Sequence, residues 1–533
     1  MPEGQSPVTE APFAPPREAP GARHLVWLLV SLAMLSVFPY YERVNNPNEN
    51  VRIYLVRAIV DHQTLQIGRV CDEWGYVNDK AIVDGRLYSG KAPGASFVGV
   101  PIYYVARAVA RVAGAAPLSK RALTLILRLC GVGLPMSAFL YAFARWSERV
   151  TGSAQARDLL VAALGLGTML FPYGVIFVGH ALAAALAFSG FMLLNLEPRE
   201  GARRWALALA GTLVGLAVVF EYQILFAALP IAVYALARHR RGVAFFALGA
   251  VPPALALAAY HTAVFGKPWD LPYNHIENQA FAAWHHGKKF LGMRLPSAEA
   301  LGAVLFSPSL GLFVFSPYLL AGVAAALWLA ARRARAEGLT ILAVGFLMVL
   351  FLTGVPNWHA GWCVGPRYVA VVAPFLTGAL ALAWRRLPDR FVDRFVVSEL
   401  VAGLVIPSVL LNVVSGALYP HYPEVFDNPV FDLTFPLIGA GYQPYSLGWL
   451  LGLRGAWSLL PLALLVVGAL APGLAGPEPG ARRWLTHVGA AFVIAAIVLL
   501  PLSGYGRQPR ADENAAAAFV RSTWEPKPAP QRP

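Results

Sequence analysis

Charge is what this sequence has least of. Asp, Glu, Lys and Arg make up 14% of its 533 residues, whereas soluble domains carry about 25%. Hydrophobic residues make up 57%, and mean hydropathy is +0.55. This balance excludes a soluble globular enzyme. It predicts an all-α polytopic membrane protein, in which a chain this long forms one bundle of about a dozen helices. Cysteine is scarce too, and Cys71, Cys130 and Cys363 have no metal-ligand spacing. Cys71 and Cys363 fall in loops read as external, where a disulfide is chemically allowed, but two unrelated free thiols is the reading adopted. Also missing are a P-loop and any Gly-rich strand-to-helix turn, so no nucleotide site is expected. There is no internal repeat of broken helices and no mid-span ion pairing of the kind proton-coupled carriers use, which weighs against a secondary transporter.

The net charge is +14, yet its placement excludes nucleic acid as the partner. Arginines cluster in short turns between apolar runs: Arg199, Arg203 and Arg204; Arg238, Arg240 and Arg241; Arg332, Arg333 and Arg335; Arg385 and Arg386; Arg482 and Arg483. That is the bias of cytoplasmic loops. Apolar runs long enough to span are expected at 25–41, 122–145, 158–172, 176–196, 204–220, 222–237, 243–265, 307–331, 338–354, 368–384, 395–417, 446–471 and 484–503, about 13 helices in all. Residues 95–113 are apolar but carry Arg107 and Arg111 four apart. Placing them as a helix lying in the outer interface keeps every Arg-rich turn inside. The resulting division is a disordered cytoplasmic tail at 1–23, a transmembrane domain at 24–504 with a large external loop at 42–94, and a disordered external tail at 505–533.

What polar character the chain has is concentrated externally, above all in 45–94. Residues 48–67 have a helical apolar period at Val51, Leu55, Ile59 and Leu65, with Glu49 and Arg52 three apart and so on one face. Glu49 there is either a general base steered by Arg52 or half of an ordinary ion pair on a solvated helix, and spacing alone leaves both open. In 79–94, which includes Asp79 and Lys80, Asp84-Gly85 marks a tight turn. Lys91 precedes a Pro-Gly turn, where a cation near backbone amides suits a phosphate and equally suits snorkelling to headgroups. His180 opens an apolar helix. Glu221, beside Tyr222, lies between two apolar helices, where a carboxylate is costly unless paired. His275 lies in a polar loop. Residues 357–368 gather two Trp, a His, Arg367 and Tyr368, either as an interfacial belt or as a surface for a sugar and a phosphate.

These residues resemble the integral-membrane glycosyltransferases of the GT-C class, in particular the bacterial branch related to protein O-mannosyltransferases and 4-amino-4-deoxy-arabinose lipid A transferases. The resemblance rests on the order of elements over most of the chain. Its motifs are Pro47-Asn48-Glu49, where the family has Pro-Asp-Glu, then Arg52, then Tyr88 and Lys91 in a Tyr-x-x-Lys turn. Looser matches fall at 179–181, 273–277 and 365–368. Gly90 stands where an acid often precedes the family lysine. The resemblance implies a polyprenyl-phosphate sugar as donor and an inverting transfer on the external or periplasmic face of a cytoplasmic (inner) membrane. Glu49 would be the base, Lys91 would hold the lipid phosphate with Arg52 and Arg367, and His180 and His275 would be polar site residues. No cofactor is specified, and a divalent metal is left open. The acceptor, whether lipid, glycan or protein, is left open too. The alternative function is a transporter or flippase for a lipid-linked sugar.

Overall fold

The computed structural model describes residues 24–41, 46–279, 282–283, 293–332, 334–386, 391–474, 481–504 and 508–525. The charge-poor runs form helices because a bilayer offers backbone groups no water, so each segment must satisfy its own. In the first part of the chain these are α1 (Leu25–Leu35), α2 (Pro47–His62), α3 (Gly68–Trp74), α4 (Gly94–Val112), α5 (Lys120–Arg128), α6 (Leu134–Thr151), α7 (Ala154–Leu166), α8 (Leu170–Gly174), α9 (His180–Leu196), α10 (Arg204–Phe220), α11 (Leu225–Arg238) and α12 (Val243–Phe265). Among the described residues six helices are long and apolar enough to cross a membrane, and shorter apolar ones such as α1, α9, α10 and α11 accompany them. The protein is a multi-pass, all-α membrane protein.

Several expected spans differ in outline. The 307–331 run is two helices, Leu312–Phe315 and Leu319–Ala330, because Pro317 has no N–H to continue the ladder. The 446–471 run is broken: one helical turn at Leu447–Leu450, then a continuous helical stretch only from about Gly455. Its start instead bridges to the end of the first span, Val37 against Ser446. The 122–145 run extends over Lys120–Thr151, through a π-turn at Leu129–Gly133.

The 505–533 tail, expected to be disordered, is corrected by a helix at Ala511–Thr523. Its alanines are as good a helix signal as a low-complexity one. Glu513 closes the helix N-terminus by accepting from Arg510 N–H at 2.9 Å. Trp524 then anchors the end: it is fully buried, stacks on Tyr419, meets Tyr41 and Tyr442 edge-on, and donates from Nε1 to the Gln443 carbonyl at 2.8 Å. The tail expected at 1–23 and residues 526–533 lie outside the described residues.

The polar stretch builds a small layer of its own on the bundle. Pro47 occupies the first turn of α2, Asn46 caps it by accepting from Glu49 N–H at 3.4 Å, and Gln63, with φ 52°, ends it. The expected turn at Asp84-Gly85 is the tip of an antiparallel hairpin, β1 (Lys80–Val83) and β2 (Arg86–Ser89), with φ of 49° and 75° at the two turn residues. Val51, Tyr54, Leu55 and Ala58 of α2 bury against Ile67, Val70, Ala81 and Tyr88, and against Tyr260, Val264 and Phe265 at the end of α12. The α4 helix, expected as the interfacial segment 95–113, lies along α2, with Ser96 Oγ donating to the Arg52 carbonyl at 3.0 Å. Its first residue must be glycine: a Cβ at Gly94 would stand 2.8 Å from the Phe220 Cα.

Candidate active site

Glu49 sits in the first turn of α2, buried, with 3% of its surface exposed. Arg128, the last residue of α5, grips it with two bonds, Nε to Oε1 and Nη2 to Oε2, both 2.6 Å. The Phe177 amide donates to Oε1 at 2.7 Å. Burial alone would raise the pKa of this carboxyl. The charge and hydrogen bonds of Arg128, with the Phe177 amide, outweigh it and hold the carboxyl below its ordinary value. Glu49 is therefore held as a carboxylate, paired with Arg128 and not with Arg52, and both lone pairs of Oε1 are already occupied. It still faces open space. A small pocket open on one side is lined by Glu49, Arg128, Lys120, Tyr40, Tyr41 and His421 among others.

One turn along the same face of α2, Arg52 does not pair with Glu49 as spacing allowed. It is wholly buried and turns its guanidinium the other way, donating to Glu221 Oε1 at 2.7 Å, to the Asn48 carbonyl at 2.7 Å and to Asn48 Oδ1. Asn48 thus holds Arg52 and makes no separate site. Glu221, expected to need a partner at its depth, has three: Arg52, the Gln223 amide, which donates to Oε2 at 3.3 Å, and His180, whose Nδ1 is 3.5 Å away. The contact depends on Gly179. A Cβ there would be 2.5 Å from both Glu221 Oε1 and the Phe220 carbonyl. Gly179→Ala is expected to push Glu221 off His180 and lower the unfolding free energy by about 1–3 kcal/mol, read by thermal unfolding of the purified protein.

The other two expected phosphate ligands join this second cluster. Lys91 pairs with Asp79 at 3.2 Å, and His180 lies within electrostatic reach of Arg52, Lys91 and Arg367. Arg367 stands 5.3 Å over the Tyr368 ring, and Tyr368 packs edge-on to His180 at 5.7 Å. Two buried donors here, Arg52 Nε and Arg367 Nε, and the ring nitrogen His180 Nε2 have no hydrogen-bond partner among the described residues. So Lys91, Arg52, Arg367, His180, Glu221, Asp79 and Tyr368 come together. Glu49 does not join them: it opens onto its own pocket, and Arg52 marks the boundary, about 5–6 Å along the helix surface.

The remaining candidates lie apart. Lys80 sits over the Tyr76 ring and reaches Glu277 at 3.7 Å. Tyr88 is buried in the hairpin, paired with Ala81, and does not reach the cluster with its hydroxyl. His275 bonds Asp270 at 2.9 Å and stacks on Phe265. Tyr222 bonds His261 at 3.0 Å. Among the described residues no group of three His, Cys, Asp or Glu is placed to hold a metal ion. Cys71 and Cys363 are both free, Cys363 with its thiol on the His359 and Gly365 carbonyls. Two residues of the Glu49 pocket were missed. Arg128 carried a signal, an arginine inside an apolar run expected to span at 122–145. His421 carried none, since nothing near it in sequence hints at Glu49.

Fold and site together define a multi-pass helical membrane protein with a carboxylate pocket and a cation cluster back to back on one helix. No family model and no curated protein matches the chain. Among solved structures it is similar to the oligosaccharyltransferase of Archaeoglobus fulgidus, at TM-score 0.47 and 11% identity over 75% of this chain. The match spans only 56% of that longer protein. It is also similar to ArnT from Cupriavidus metallidurans bound to undecaprenyl phosphate, at TM-score 0.45 and 16% identity over 94% of this chain and 78% of that one. The GT-C class that the sequence resembles is the class of both neighbours.

Proposed function

We propose that this protein is a glycosyltransferase that moves a sugar from a polyprenyl-phosphate donor to an acceptor hydroxyl, with inversion, at the external face of a cytoplasmic membrane. The observation that carries the proposal is the cluster of Arg52, Lys91 and Arg367. Three cations are set there against two carboxylates, with two buried guanidinium N–H donors, Arg52 Nε and Arg367 Nε, still unpartnered. An anion of two or three oxygens would satisfy them, and a lipid phosphate is the anion a membrane supplies at that depth.

When the glycosidic bond to phosphate breaks, negative charge collects on the phosphate oxygens. Fixed cations stabilise that charge more than they stabilise the neutralised ground state. The leaving group is a phosphate, so it needs no protonation. The acceptor would enter from the Glu49 pocket, one helical turn away, and attack the anomeric carbon from the side opposite the phosphate. Negative charge at Glu49 favours removal of the acceptor proton there. The amphipathic α4 helix, packed on α2, would border the path of the prenyl tail.

The test uses purified protein with radiolabelled polyprenyl-phosphate sugars and a panel of lipid, glycan and peptide acceptors. Lys91→Ala is expected to lower transfer about 10²–10³-fold, mostly in kcat. Transfer by Lys91→Ala at the wild-type rate, or no transfer by wild type from any such donor, defeats the proposal.

A further inference from the structure

Glu49 leaves the acceptor proton without an obvious destination. Its Oε1 already takes bonds from Arg128 and Phe177, and Oε2 takes a second bond from Arg128 and a long one from the Asn46 side-chain amide at 3.5 Å. A base must have an open lone pair within reach of the proton it takes. Of the groups lining the pocket, Lys120 and Arg128 are cations, and tyrosine and asparagine are poor bases at neutral pH. One lining residue is different. His421 is brought in by the turn after the long helix Phe391–Leu418, faces the pocket opposite α2, and is 6% exposed.

We propose that His421 is the catalytic base, taking the proton of the acceptor hydroxyl on a ring nitrogen, while Glu49 is a positioning charge that stabilises the resulting imidazolium. The proposal rests on the glycosyl-transfer reading above and deepens it. As the acceptor oxygen bonds to the anomeric carbon, its proton passes to His421. The bond from that carbon to the donor phosphate breaks, and its electron pair leaves on the phosphate. Glycoside, lipid phosphate and imidazolium account for every atom and charge.

Three features support it. The ring makes no hydrogen bond to the described residues, so a nitrogen is available to substrate. It packs edge-on to Tyr419 at 5.7 Å, which fixes its plane. Burial, with Arg128 and Arg367 nearby, pushes its pKa down to about 4 against the opposing pull of Glu49, so it is neutral and able to accept at pH 7. The charged groups around it are Glu49 from α2, Arg128 and Lys120 from α5, and Arg367 from the segment before Val372. The tyrosines nearby stay neutral. A proton arriving on His421 feels the Glu49 charge and strengthens its own hold.

The test compares wild type, His421→Ala and His421→Gln in the radiolabelled assay. Each is checked for cooperative unfolding and for binding of polyprenyl phosphate itself. His421→Ala is expected to lose about 10²–10⁴-fold in kcat with donor binding unchanged. Added imidazole should restore part of that rate in His421→Ala and not raise it in wild type, a response a packing role would not give. The acid limb of the wild-type pH–rate profile should disappear in His421→Gln. If either variant transfers at the wild-type rate, or if imidazole leaves a folded His421→Ala unchanged, His421 is not the base while the glycosyl-transfer reading stands. If wild type transfers no sugar from any lipid phosphate, both proposals fall.

Discussion

Arg128→Met is expected to lower the unfolding free energy by about 3–5 kcal/mol, the loss typical of removing one partner from a buried ion pair. Arg128 gives Glu49 two 2.6 Å bonds and also donates to the Pro39 carbonyl, so it ties α5 to α2 and to the end of α1. Met fills the volume but leaves a charged carboxylate at 3% exposure with the Phe177 amide and a distant Asn46 amide. That carboxylate must then take a proton or draw water inward. The companion change separates charge from packing: Arg128→Met with Glu49→Gln should recover much of the loss, because no net charge remains buried. Thermal unfolding in one detergent measures both, and additive losses would show the pair to be uncoupled. The sign with pH follows from the same bonds. The folded pKa of Glu49 lies below its unfolded value of about 4.3, so the contribution is complete above that value and disappears only as pH falls through the folded pKa.

Glu49→Gln should cost about 10²–10⁴-fold in sugar transfer while the donor still binds, if the carboxylate supplies the charge that stabilises a protonated His421. Gln keeps the shape and one acceptor oxygen but leaves the Arg128 charge buried without its counter-ion, so cooperative unfolding and donor binding are checked before the rate is read. Combined with His421→Ala, the two losses should not multiply, because each removes the same proton-accepting unit. The outcome also separates the enzyme from a carrier. A flippase for a lipid-linked sugar needs the groove and the cations but no proton acceptor, so it would move lipid equally well with Gln at 49. A Glu49→Gln protein that transfers sugar as fast as wild type would remove Glu49 from the chemistry.

Much of the fold was legible because membrane helices obey one constraint, about 20 apolar residues per crossing. Positions where proline or a turn interrupts an apolar run were less so, as at Ser316-Pro317, where composition stays apolar while the helix stops. The Ala511–Thr523 helix was misread because its alanines suit a disordered tail as well as a helix, and only the burial of Trp524 decides between them. The site divides similarly. Lys91, Arg52, Arg367, His180 and Glu221 could each be named from local context, since polar residues beside apolar helices are costly and so noticeable. Their grouping could not, nor could the turning of Arg52 toward Glu221, because helical spacing makes Glu49 its natural neighbour. His421 lies 372 positions from Glu49 in sequence, and only the packing of the two helices' ends brings them to one pocket.

The docking of Trp524 bears on biogenesis. Tyr41, which lines the Glu49 pocket, meets Trp524 edge-on at 5.0 Å and donates to the Leu418 carbonyl. The pocket wall at Tyr41 is therefore braced by two segments far along the chain, the end of the Phe391–Leu418 helix and Trp524. A nascent chain threading into the bilayer cannot complete that wall until residue 524 has been released and has crossed to the same side as Tyr41. A partly synthesised molecule that stops short of Trp524 thus lacks this brace on the Glu49 pocket, and a bulky fusion placed directly after Trp524 would press on it.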